Sequence, residues 1–181
     1  MKKGEIITEE PRFQGKIFDV VTRKIKTPDD ITVIRDVVLH GDAVAMIMPV
    51  IEDGETKYVI GTEYRAGTNS MRSSFPAGLI NKGENPTAAA LREAREEMGL
   101  DYGKADLIQV ISTSEGFTNE QTYLMMLSDL KGDVQTHFDA DELVHKELVT
   151  LDELLEKIAT GQIQTAPAII GSLYLQLIEE D

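Results

Sequence analysis

Residues Gly78–Leu100 read GLINKGENPTAAALREAREEMGL. The stretch opens as a turn-forming GLINKG loop and runs into a predicted helix. Asn85 is suited to cap that helix, and Pro86 falls at its first position, where a missing N–H leaves no bond unmade. Ala88, Ala89, Ala90 and Leu91 are strong helix formers, and Gly99 falls where a left-handed C-terminal cap is wanted. Glu93, Glu96 and Glu97 are spaced by three and four residues, which puts their carboxylates on one face. Arg92, four residues before Glu96, can brace it, and Glu84 at the end of the loop can join the cluster. Carboxylates this close repel one another, and a divalent cation removes the repulsion because hard Mg²⁺ prefers their oxygens. The competing reading is a solvated acidic face in an acidic chain.

The complete spacing separates the two. Gly78, five residues, Glu84, seven residues, Arg92-Glu93, a small apolar residue, Arg95, Glu96-Glu97, Met98, Gly99 and Leu100 fill about nine constrained positions in one short run. This pattern resembles the Nudix box.

The rest of the chain sets bounds. With 181 residues, one self-sufficient core is expected, with room for a small appendage. Cys is absent, so neither disulfides nor thiolate metal sites are available. No basic, apolar N-terminal segment reads as a secretion signal, and no apolar run approaches the ~20 residues of a membrane span. A cytoplasmic protein without membrane contact is the expectation. The net charge of −14 argues against nucleic acid as a partner, since no basic stripe is present to neutralise phosphates. It does not argue against a phosphorylated small molecule bound through metal ions.

Read in order, residues 1–40 are β in character. Partial alternation over Lys16–Arg23 and again over Thr32–Leu39, with a turn at Thr27-Pro-Asp-Asp, predicts a strand pair that must pack on the main domain or on a second subunit. The apolar run Ala43–Ile51 predicts a buried strand, Asp53-Gly54 a turn, and Tyr58–Tyr64 the next strand. Arg65–Ser70 reads as loop. Further strands are predicted at Ala105–Ser112, Thr122–Leu127 and Leu143–Val149, and helices at Leu151–Ala159 and about Ala166–Ile178. The order predicts a layered α/β fold with a mixed sheet, divided as residues 1–40 and 41–181.

Beyond the box, Tyr64-Arg65, Pro76-Ala77-Gly78, Gly116-Phe117, Asp141-Glu142 and the ending Gly161–Gly171 are similar to the ADP-ribose pyrophosphatase branch of the Nudix hydrolases. The resemblance implies an α/β/α sandwich, a homodimer formed through the N-terminal strands, and hydrolysis of the diphosphate bond of a nucleoside diphosphate sugar. ADP-ribose, cut to AMP and ribose 5-phosphate, is the first choice. It implies Mg²⁺, or Mn²⁺, held by the Ala77 carbonyl, Glu93 and Glu97 with Glu96 close by, Arg65 on the diphosphate, and Glu142 as general base. Glu120, on another polar loop, is the rival base. Arg92 is expected to orient the glutamates rather than touch substrate. Where the branch usually has a proline before Gly116-Phe117 this chain has Glu115, and where many members have a glutamate it has Ser74. Both positions shape the nucleoside end of the pocket in the resemblance, so a GDP- or UDP-hexose is the alternative substrate.

Phe18, Tyr64 and Phe117 are the candidate rings to stack on a base. The three histidines lack ligand spacing and read as structural, and the methionines as core filler. Two rivals stand further off. A non-catalytic nucleotide-sugar sensor tends to carry a degraded box, and a nucleotide-pool triphosphatase does not account for the N-terminal strands.

Overall fold

The computed structural model describes residues 3–136 and 145–179. Two compact units emerge, Met1–Asp42 with Ser112–Gln121, and Ala43–Ile111 with Thr122–Asp181.

The first unit is a three-stranded sheet in the order β1 (Glu5–Gln14), β2 (Phe18–Lys26), β3 (Thr32–His40). The two expected strands are β2 and β3, antiparallel with Phe18 opposite His40 and Lys26 opposite Thr32. The additional strand β1 was not predicted, because EIITEEPRFQ is largely polar and carries Pro11. Every residue of β1 is exposed, and its register with β2 slips between Ile6 and Thr8 and between Pro11 and Phe13. Irregular edge strands are where proline is tolerated, since the edge needs fewer N–H donors. The loop at Ser112–Gln121 belongs to this unit through His40. The Asn119 side chain accepts from the His40 N–H (2.9 Å) and donates to the His40 carbonyl (3.1 Å), and Val38 N–H donates to Phe117 O (2.7 Å).

The second unit holds two sheets. One has the order β8 (Ala77–Leu79), β4 (Ala43–Ile47), β10 (Gln121–Asp133), β9 (Leu100–Ser112), with β4 and β10 parallel. The other has the order β11 (His145–Val149), β6 (Glu55–Arg65), β5 (Pro49–Glu52), with β7 (Ser70–Ser74) also on β6. The apolar run expected as a single strand is thus two, broken at Met48. Pro49 cannot donate to a ladder, and past it the chain leaves β4's sheet for β6's. The Asp53-Gly54 turn joins β5 to β6 with both φ angles positive (53° and 82°), as a two-residue hairpin turn requires.

Helices pack on both faces of the β4 sheet. Val44, Met46 and Met48 lie in a buried cluster with Ala89, Ala90 and Ala94 of α1 (Pro86–Glu96), while Ala45 and Ile47 lie in a second cluster. That second cluster includes Leu151 and Leu154 of α2 (Leu151–Ala159) and Ala168 and Leu175 of α3 (Ala166–Glu179). The alternation along β4 is the period-two pattern of a strand covered on both sides, and it makes this unit the expected α/β/α sandwich. Met46, Met48 and Met125 are fully buried filler, as expected, whereas Met71 on β7 is exposed. None of the described helices is long and apolar enough to cross a membrane.

Candidate active site

Helix α1 forms as its sequence dictates. Asn85 is the N-cap, its side-chain oxygen accepting from Ala88 N–H at 2.9 Å, and Pro86 opens the first turn. The helix ends at Glu96, Glu97 caps it, and Gly99 turns the chain with φ of 67°. Small alanines on the buried side let α1 lie close to β4 and β8, which brings Glu93 against Gly78. A Cβ at Gly78 would stand 2.2 Å from the Glu93 carboxyl carbon. Gly78 therefore follows Ala77 in this motif for lack of room.

Arg92 organises the acids. Its Nε and Nη2 donate to the two oxygens of Glu84, both at 2.9 Å, and Nη2 also donates to the Leu79 carbonyl at 3.0 Å. Nη1 donates to Glu93 Oε1 (2.6 Å) and Glu96 Oε2 (3.0 Å). Glu84 also accepts from Asn81 N–H at 2.9 Å, which ties the GLINKG loop to the helix. The arginine's hydrogen bonds hold the Glu84 carboxyl below its ordinary value, and the surrounding carboxylates hold Arg92 firmly protonated.

Glu93 differs from its neighbours. It is a buried acid, 7% exposed, and burial pushes its carboxyl up against the opposing pull of Arg92. Glu96 is half exposed. Among the described residues, no group of three or more acids or histidines converges to hold a metal ion; Glu84, Glu93 and Glu96 converge on Arg92 instead. The donor set nevertheless fits a hard cation. It consists of carboxylate oxygens, one of them on the buried Glu93, beside a strand whose Ala77 stands opposite Ala45.

The other expected residues are placed as follows. Arg65, at the end of β6, is exposed and ion-paired with Glu63. Tyr64 is exposed and donates through its hydroxyl to Asn69 at 2.7 Å. Phe18, Glu115, Phe117 and Glu120 all fall in the first unit. Phe18 (43% exposed) meets Phe13 with ring centroids 6.1 Å apart, and Phe117 is 56% exposed. Glu115 is exposed, and Glu120 lies 3.7 Å from His40 Nδ1. Glu142 lies outside the described residues.

Two side chains that the sequence reading did not single out also take part in local order. Arg72 of β7 donates to Gln164, and beside it Ser74 Oγ and Thr165 Oγ1 hydrogen-bond at 2.7 Å, so Ser74 fastens β7 to the start of α3. Lys146 of β11 donates to the Met98 carbonyl at the end of α1. None of these contacts leaves a periodic signal in the sequence.

The fold and the box at α1 define a Nudix protein: the NUDIX domain family model matches residues 40–169, and the chain belongs to that family. It is 33% identical to a methanol dehydrogenase activator of Bacillus methanolicus and 30% identical to an ADP-ribose pyrophosphatase of Bacillus subtilis. Each match covers 96% of this chain and 92% of the relative. A solved ADP compounds hydrolase superposes with a TM-score of 0.83 over 99% of this chain and 96% of that one, at 18% identity, a likeness of fold.

Proposed function

We infer that the chain hydrolyses the diphosphate bond of a nucleoside diphosphate sugar, with ADP-ribose the first substrate and AMP and ribose 5-phosphate the products. The observation that carries this is the acid cluster assembled by Arg92 on α1, intact at every position, in a chain that matches an ADP-ribose pyrophosphatase nearly end to end.

In this reading Glu93, Glu96 and Glu97, with the Ala77 carbonyl, hold Mg²⁺, Mn²⁺ being the alternative. Bound there, the ion supplies charge neutralisation and an acidified water. Arg92 keeps three carboxylates in place against their mutual repulsion. Arg65, free to exchange its exposed Glu63 pair for a phosphate, supplies a forked donor that lysine would not match. Glu142 is the proposed base for the attacking water, with Glu120 as rival. The exposed rings of Phe18 and Phe117 are available to stack on the base, and Glu115 to set its identity.

A homodimer built through the N-terminal sheet belongs to the same proposal. Ile6, Ile7, Phe13, Ile17, Ile31 and Ile34 are all exposed there, more apolar surface than an isolated small sheet keeps in water. A cytoplasmic location accords with a cysteine-free chain.

The test is a panel of ADP-ribose, GDP-mannose, UDP-glucose and a dinucleotide, hydrolysed with Mg²⁺ and read by phosphate release after phosphatase coupling. Preference for ADP-ribose supports the reading. Preference for another sugar nucleotide moves the specificity to Glu115 and Ser74, and release from dinucleotides alone refutes both. A second reading, an effect on a dehydrogenase, is favoured by the 33% identical relative. It is checked by adding the protein to methanol dehydrogenase and measuring the dehydrogenase rate.

A further inference from the structure

The turn that closes α1 is held from two sides by strands remote in sequence. Lys146 Nζ on β11 donates to the Met98 carbonyl at 3.1 Å, and Val134 N–H, just beyond β10, donates to the Gly99 carbonyl at 2.9 Å. Backbone approach here is close: a Cβ on Gly99 would lie 2.8 Å from Thr136 Cγ2 and 3.0 Å from the Val134 carbonyl. Between these tethers and the helix stands Glu97, the C-cap, whose N–H donates to the Glu93 carbonyl at 2.9 Å.

Helix ends are where this placement matters. The last carbonyls of a helix lack internal partners and carry its negative pole, so the final turn frays unless something outside bonds it. Met98 lies one residue past the cap, and an ammonium group on its carbonyl supplies a hydrogen bond from outside and a positive charge beside the negative pole. A carboxylate on a frayed turn wanders by an ångström or more, whereas Mg²⁺ demands near-octahedral oxygens at about 2.0–2.1 Å.

We propose that Lys146 is a positioning residue for the metal-binding acids: by bonding the Met98 carbonyl it fixes the turn that carries Glu97 and, through the Glu97 N–H on the Glu93 carbonyl, the last turn of the helix. This rests on the reading that Glu93, Glu96 and Glu97 hold a divalent cation. Lys146 lies outside the box. Its charge has the opposite effect to its bond, since a cation near the site repels Mg²⁺. The proposal states that the bond outweighs the charge.

The test uses the full chain without substrate, titrated with Mn²⁺ and followed by the electron paramagnetic resonance of the free ion. Amide exchange over residues 96–100 and the Mg²⁺ dependence of hydrolysis are measured beside it. Lys146→Met is expected to weaken Mn²⁺ binding about tenfold, at the lower end for residues that orient metal ligands. It should speed exchange at the turn and raise the Mg²⁺ needed for half-maximal rate, leaving KM at saturating Mg²⁺ within about twofold. Lys146→Arg, which keeps donor and charge, should restore most of the affinity, and Lys146→Gln should fall between. Because Lys146 is exposed on its strand, Lys146→Arg and Lys146→Gln remain informative if Lys146→Met folds poorly. Wild-type affinity, or tighter binding, in Lys146→Met overturns the proposal, as does equal impairment in Lys146→Arg. A wild-type chain that binds no Mn²⁺ fails at the underlying reading of the acids, which is a distinguishable result.

Discussion

Arg92 and Glu84 form a two-pronged pair, Nε and Nη2 each 2.9 Å from a separate carboxylate oxygen. The pair locks the loop before α1 to the helix and leaves Nη1 for Glu93 and Glu96. Lysine cannot reproduce a planar fork. Arg92→Lys is expected to lower hydrolysis about 10–100-fold, the range for residues that orient metal ligands, with Mn²⁺ binding weakened in parallel. Steady-state kinetics and Mn²⁺ titration together check this, and near-normal values in both would refute it.

The same pair gives a pH dependence. Arg92, then the Asn81 N–H, holds the Glu84 carboxyl below its ordinary 4.5. A carboxyl lowered by folding contributes stability that is present above its unfolded value and lost as pH falls through its folded value. Breaking the pair with Glu84→Gln should cost about 1–3 kcal/mol at pH 7. The gap in melting temperature between wild type and Glu84→Gln should then narrow as pH drops below 4.5.

Gly78→Ala separates folding from function. The new Cβ would meet Glu93 at 2.2–2.6 Å, and what it meets is a side chain rather than backbone. The chain can yield by moving that carboxylate, so melting should fall by only a few degrees. Turnover should drop about 100-fold, since a small misplacement of a catalytic group costs that much. Unchanged turnover in a folded variant would remove Glu93 from the mechanism.

Glu97→Gln replaces an acid at the helix cap with a neutral group of the same shape. The expected result is a loss of turnover of about 100-fold or more without unfolding, because charge in the site is removed while packing is kept. Circular dichroism and kinetics at limiting Mg²⁺ provide the check.

Ile34, 65% exposed on β3, is the position at which to test assembly. If the N-terminal sheet pairs two chains, Ile34→Lys should shift the mass measured by light scattering from dimer towards monomer. A monomeric wild type would end the proposal.

Helix α1 was legible in the sequence because its signals are local: an asparagine cap, a proline, a run of alanines and a closing glycine. The buried strands and closing helices were legible through their apolar periodicity. Strand β1 was not, since its residues are polar and exposed, and β7 and β8 were not, being only five and three residues long. The break at Met48 hides inside an unbroken apolar run. At the site, the spacing of the acids and Arg92 could be read, whereas the Leu79 carbonyl and Lys146 could not. Bonds to main-chain carbonyls place no demand on residue type at the accepting end. The attachment of the Ser112–Gln121 loop to the first unit is equally silent, for it turns on one asparagine and the backbone of Val38 and His40.

The passage from β4 to β5 through Met48 has a mechanical meaning. One covalent thread is stitched into both sheets of the second unit, with Met48 O accepting from Val59 N–H at 3.1 Å where it crosses. Sliding one sheet along the other would have to stretch that thread or tear the crossing bond. The two should therefore open together as one cooperative block in amide exchange, so that the floor beneath α1 and the strand that carries Arg65 share a single breaking point.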